Sequence, residues 1–113
     1  MIFAAATDER TLFVFPSAED AVVYCEGIDV EGDGWLFWDE AGRALAPEFI
    51  TPNHRGRFSI GSGKYVLVPA PHNCSLVVTL AELSHLDSNP HFHDFSSVLA
   101  HLAKVARTPQ HGA

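Results

Sequence analysis

Residues Thr11–Glu26, TLFVFPSAEDAVVYCE, carry two folding signals back to back. Thr11–Phe15 is a run of β-branched and aromatic residues closed by Pro16, the composition of a strand. Ser17 then offers a side-chain oxygen as an N-cap, and Glu19 and Asp20 place negative charge in the first turn. Ala18, Ala21, Val22 and Cys25 recur near helical spacing. A helix over Ala18–Glu26 follows, stopped by Gly27, with Ala21, Val22 and Cys25 turned to a sheet and Glu19 and Glu26 to water.

On the C-terminal side, Ile28–Gly34 (IDVEGDG) predicts a turn-rich acidic loop and Trp35–Asp39 (WLFWD) an aromatic strand. Glu40–Arg43 turns the chain back through Ala44–Thr51, where Pro47 marks an edge or a bulge. Arg57–Ile60 and Lys64–Val68 flank Gly61-Ser62-Gly63 and read as a hairpin. Ser75–Leu83 reads as a strand followed by a loop. Phe95, Val98, Leu99, Leu102 and Val105, at spacings of three and four, predict a final helix, with Lys104 and Arg107 near its negative end. The expected class is α+β, a mostly antiparallel sheet of four to five strands packed against two helices, with residues 1–108 as one domain and 109–113 as a frayed tail.

The chain has 113 residues, 47% of them hydrophobic, a composition that folds rather than one that stays disordered. Its net charge of −7 argues against non-specific affinity for nucleic acid or anionic lipid. No apolar run approaches the ~20 residues of a membrane span. The stretch Met1–Ala6 followed by Asp8 and Glu9 lacks a basic leader, so a cytoplasmic location is expected. Cys25 and Cys74 lack C-x-x-C spacing and read as two buried small hydrophobes, and no cofactor is expected.

The sign of charge along the chain is its least ordinary feature. Glu19, Asp20, Glu26, Asp29, Glu31, Asp33, Asp39 and Glu40 lie between Thr11 and Gly42 with no Lys or Arg among them. If helix and loop share a face, these carboxylates form a negative patch that speeds the docking of a basic partner. Trp35 and Trp38, three apart on a strand, point to opposite faces: one enters the core, and the other is a helix-covered side chain or an interface anchor.

Other chemistries are weaker. Asp29–Gly34 has oxygen ligands at alternate positions, but a strand fills the place where a calcium loop needs its flanking helix. His91, His93 and Asp94, with His85 as a third imidazole, form the alternative reading, a metal site or metal-dependent enzyme in the last third of the chain. Ser62 turns a hairpin instead of a nucleophile elbow, and Cys25 sits at the helix end that does not lower a thiol pKa. His54, Arg55, Arg57, Phe58, Lys64 and Tyr65 make a short basic and aromatic strip of the kind that binds RNA, against the total charge. Ala44–Thr51, as an edge strand, offers pairing across a two-fold axis.

The block Phe15–Glu31 (FPSAEDAVVYCEGIDVE), with Trp35–Asp39, Gly42-Arg43 and Gly56-Arg57-Phe58, resembles small bacterial immunity-type proteins encoded beside secreted polymorphic toxins. The resemblance spans residues 11–68 and transfers no individual binding residue. It implies a stoichiometric inhibitor that occludes the active site of a toxin domain, often a basic nuclease. Together with the charge, it leads to the expectation of a non-enzymatic module that meets a basic protein through Glu19, Glu26, Asp29, Glu31, Asp33, Trp35, Trp38, Asp39 and Glu40.

Overall fold

Strand β1 (Ile2–Ala6) and strand β2 (Thr11–Phe15) form a hairpin, and two short helices, α1 (Ala18–Tyr24) and α2 (Gly27–Glu31), lead to β3 (Trp35–Trp38). β4 (Ala44–Phe49) returns along β3. A small ribbon of β5 (His54–Arg55) and β6 (Ile60–Gly61) precedes β7 (Tyr65–Pro69). Helix α3 (Leu76–Thr79) runs into a 3₁₀ turn at Leu80–Glu82, then come β8 (His85–Leu86) and the long helix α4 (Phe95–Arg107). The computed structural model describes residues 1–55, 60–61 and 63–107; the expected frayed tail lies outside the described residues.

Among the described residues the main sheet has six strands in the order β7-β4-β3-β1-β2-β8. β1 pairs antiparallel with β2 on one side and β3 on the other. β2 and β3 therefore run parallel with β1 between them, and α1 and α2 form the crossover. β8 joins β2 in parallel, so the sheet is mixed. The α+β class holds, but among the described residues the main sheet has six strands in place of four to five, and four helices, not two, cover both faces.

Two cores result. On one face Phe3, Leu12 and Trp38 pack against Leu76, Leu80, Val98 and Leu102 from α3, the 3₁₀ turn and α4. On the other, Ile2, Ala4, Phe37 and Tyr65 pack against Ala21, Cys25 and Val30 from α1 and α2. α4 presents Val98 and Leu102 inward as its spacing predicts, while Leu99 at its margin stays exposed. Asp94 Oδ1 accepts from the Ser97 N–H at 2.8 Å, and the Ser97 hydroxyl donates back to the Asp94 carbonyl at 2.7 Å, closing the start of α4. Ser17 caps α1 as expected, its Oγ accepting from the Asp20 N–H at 3.2 Å.

Several sequence expectations give way to tertiary packing. β1, unpredicted, is the central strand, buried along its whole length. Its run of alanines lacks β-propensity, yet those small side chains let helices close on both faces. Ile28–Gly34 is not simply a loop, because Gly27–Glu31 is helical. Its end is a reciprocal pair of bonds, Asp33 N–H to the Val30 carbonyl and Gly34 N–H to the Asp29 carbonyl, with Asp33 at φ 59° in the left-handed place usually given to glycine. Ser75–Leu83 starts as helix, not strand. Leu76, Thr79 and Leu80 at i, i+3 and i+4 are buried, and this outweighs the β-branched Val77 and Val78.

Of the expected hairpin of Arg57–Ile60 with Lys64–Val68, Arg57, Phe58 and Ser59 lie outside the described residues; among the described residues β6 pairs with β5 and β7 with β4. β4 is internal, flanked by β3 and β7, so it offers no edge for two-fold pairing. Pro47 lies beyond the part of β4 paired with β3, which fits its missing N–H. Cys25 is buried as expected, whereas Cys74 is exposed. No helix among the described residues is long and apolar enough to cross a membrane.

Candidate functional site

The pairing of β1 with β3 sets Trp35 beside Ala6 and Trp38 beside Phe3, and so fixes which loops share an end of the sheet. The Thr7–Arg10 turn and the Asp29–Gly34 segment meet at the Trp35 end. Thr7 joins them, its N–H donating to the Gly34 carbonyl and its hydroxyl to the Asp33 carbonyl, each at 3.0 Å. The two described non-glycine residues with positive φ, Arg10 at 50° and Asp33 at 59°, lie in these two turns. Such backbone is costly and is found where a loop must be held in one shape.

Between the turns lies a cleft of about 480 Å³ lined by Ala6, Asp8, Glu9, Asp29, Gly32, Gly34 and Trp35. Gly34 is required there, because a Cβ would stand 2.8 Å from the Asp29 carbonyl oxygen. Asp8, Glu9 and Asp29 are exposed and make no ion pair among the described residues. Three carboxylates so placed, against the single cation Arg10 of the same turn, present net negative charge to solvent.

Trp35 is also part of an aromatic cluster. Its ring lies 5.2 Å from Phe13 at 61° and 5.9 Å from Tyr24 at 85°, both edge-to-face, and Tyr24 lies 5.4 Å from Phe15. These rings come from β2, α1 and β3 on the α1 side of the sheet. Such contacts stabilise a cluster by roughly 0.5–1.5 kcal/mol per pair beyond burial, so the rings stay fixed even where water reaches them. Tyr24 is 57% exposed and its neighbour Val23 83% exposed, a large apolar and aromatic surface next to a charged cleft. The cluster was not foreseen from the sequence. Its signal was Phe13 and Phe15 alternating on β2, with Tyr24 on the solvent side of the helix that follows.

The expected acidic patch divides. Glu26, Asp29, Glu31 and Asp33 are at the Trp35 end, joined by Asp8 and Glu9 from outside the Thr11–Gly42 window. Glu19, at the start of α1, and Asp39 and Glu40, after β3, are at the other end, roughly 10 Å away along a four-residue strand. Asp39 is occupied structurally, accepting from the Ala41 and Arg43 N–H groups and pairing with the Arg43 guanidinium at 2.9 Å. Glu31 accepts from the Asn53 amide at 2.9 Å. Trp38 is removed from the candidate surface, since it is 2% exposed with its Nε1 donating to the Cys74 carbonyl.

The alternative metal set does not assemble. Among the described residues no three His, Cys, Asp or Glu side chains are placed to hold an ion. Asp94 caps α4, and His85, His91 and His93 are exposed on β8 and the loop after it. His101 packs on Phe92 and donates to the Glu40 carbonyl at 2.9 Å. In the basic strip Tyr65 is buried, its hydroxyl donating to the Cys25 carbonyl at 2.6 Å; Arg57 and Phe58 lie outside the described residues. Burial, reinforced by the Asp29 carboxylate, pushes the Cys25 thiol up to about 12, so it is protonated and inert. Burial, with Cys25 as the lesser cause, likewise pushes the Tyr65 hydroxyl up. No protein-family model, curated protein or solved structure matches the chain.

Proposed function

We propose that this protein is a non-enzymatic binding module of the immunity type, which neutralises a basic toxin domain, such as a nuclease, by docking at the Trp35 end of its sheet. The observation that carries the reading is the juxtaposition of a half-exposed aromatic cluster with a cleft holding Asp8, Glu9 and Asp29. Aromatic side chains on a rigid base act as desolvated anchors, and nearby carboxylates steer a cationic partner and pair with its Lys and Arg. In this reading the carboxylates would take the place of substrate phosphates and so cover the active site. The net charge of −7 extends that attraction beyond the contact itself.

The test takes as binding partner the product of the reading frame adjacent to the gene for this chain, which the immunity reading requires to carry a toxin-like domain. Replacing Asp8, Glu9 and Asp29 together by Asn, Gln and Asn should lower the association rate about tenfold and flatten its salt dependence. Tyr24→Ala should act on dissociation, weakening the complex by about 2 kcal/mol. Binding unchanged in both variants would remove this surface as the site. A neighbouring gene for a metabolic enzyme, with no binding to its product, would remove the immunity reading.

A further inference from the structure

The cleft at the Trp35 end has an aromatic wall as well as acidic ones. Trp35 stands in register with Ala6 across the β1–β3 ladder, and Phe13 with Ala4 across the β1–β2 ladder. Both side chains therefore lie on the α1 side of the sheet, with only the methyl groups of β1 between them. The indole spans the central strand to meet Phe13, ring centres 5.2 Å apart, and Tyr24 braces it at 85°. Trp35 is nevertheless half-buried, and it lines the cleft that holds Asp8, Glu9 and Asp29. None of the described residues lining that cleft is a Lys or Arg. Arg10, the cation of the Thr7–Arg10 turn, lines a separate cleft with Ala5 and Leu36 on the opposite face.

We infer, resting on the binding reading above, that this cleft takes a single arginine side chain of the partner, its guanidinium against the Trp35 indole and its N–H groups directed at the carboxylates of Asp8, Glu9 and Asp29. Size sets the class of occupant. A volume of about 480 Å³ corresponds to a cube with an edge of about 8 Å, narrower than the 10–12 Å of a helix with its side chains, so a side chain enters and a helix does not. Chemistry then selects among cations. A planar guanidinium stacks on an aromatic ring while its five donors still point outward in its own plane, so the ring and more than one carboxylate are satisfied together. The ammonium of lysine is a more strongly hydrated point charge with no flat surface to stack. The walls are in place beforehand, because the Thr7 bonds to the Gly34 and Asp33 carbonyls fix one turn against the other. The inference thus narrows a general attraction for basic proteins to one arginine seated at one point.

The test is a titration of the full chain with a blocked Gly-Arg-Gly peptide, followed by proton–nitrogen NMR at the indole N–H signals of its two tryptophans. Trp38 is buried with its Nε1 bonded to the Cys74 carbonyl and serves as the internal control. The Trp35 signal should shift saturably and the Trp38 signal should stay in place. Gly-Lys-Gly should bind about fivefold more weakly, and Gly-citrulline-Gly, which keeps the shape and loses the charge, should move neither signal. Asp8→Asn combined with Asp29→Asn should weaken the arginine peptide about tenfold, and Trp35→Leu should do the same when read from the peptide's own signals. Asp8 and Asp29 are exposed, so their variant keeps the test open if Trp35→Leu fails to fold. No saturable shift of Trp35 at ~10 mM peptide overturns the inference. So does equal binding of the lysine or citrulline peptide, or binding indifferent to the Asp8 and Asp29 exchanges. The peptide needs no toxin, so the two readings fail separately: an inert arginine peptide beside a toxin domain that still binds overturns this inference alone. Arginine binding in a chain with no toxin partner overturns the immunity reading and leaves the cleft's ligand class supported.

Discussion

The two faces of the sheet are closed by different means. On one, a thirteen-residue helix with an apolar stripe lays Val98 and Leu102 onto Phe3 and Trp38, and its stability comes from buried area. On the other, helices of seven and five residues are too short to hold themselves, and side chains tie them down through backbone carbonyls. The Tyr65 hydroxyl holds the Cys25 carbonyl where α1 ends, and the Asn53 amide holds the Gly27 carbonyl at 3.0 Å where α2 begins. Gly27 can have no side chain there, since a Cβ would lie 2.7 Å from Asn53 Oδ1. A face held by a few directed bonds leaves its helices small and their flanking residues accessible, which is where the aromatic cluster and the acidic cleft are found.

The comparison breaks first at the long helix. Leu102→Ala should cost about 2–5 kcal/mol in urea unfolding, because it opens a cavity under α4 beside Leu76 and Gly42. A loss below about 1 kcal/mol would mean that buried area is not what holds this face. Tyr65→Phe should cost less, about 1–3 kcal/mol, by leaving the Cys25 carbonyl without its donor in a dry site while keeping the ring contacts to Phe37 and Phe49. If it costs nothing, the second face is closed by packing like the first.

The smallest effect is one of pH. An unfolded thiol ionises at its ordinary value of 9.0, the buried Cys25 only near 12. Its contribution to stability is therefore intact below pH 9.0 and is lost as pH rises toward about 12. The unfolding midpoint should fall gradually through that window, and at neutral pH a thiol reagent should modify Cys74 but not Cys25. A flat alkaline profile would show that Cys25 is wetter than its burial implies.

The same contrast explains what could be read from the sequence. α4 announces itself because its burial comes from periodic spacing, and α1 because Ser17 caps it chemically. α2, β1 and the pairing of β7 with β4 depend on partners remote in the chain, such as Asn53 and Tyr65, and leave no local period. α3 contradicts its own propensity, since Val77 and Val78 favour a strand and the burial of Leu76 and Leu80 decides otherwise. For the site, the acidic excess was legible, but its partition between two ends of the sheet was not. Charge along a chain becomes charge in space only once strand directions are known. Recognising β1 would have placed Asp8 and Glu9 in a hairpin turn and prompted the question of which acids join them.

β1 has a further consequence. Strands usually find their register through an alternation of polar and apolar residues, where a slip of one residue exposes the wrong set to water. Ile2–Ala6 has no polar member and is covered on both faces, so a slipped pairing would bury just as much grease. What forbids the slip is size. Phe3 is the one large ring in a strand otherwise of alanine and a single isoleucine, and it meets Phe92 and His101 with ring centres 5.7 and 6.1 Å apart. Displaced by one residue, that ring would be driven into the close-packed space that Ala4 leaves for α1, so a single side chain keeps the central strand in step.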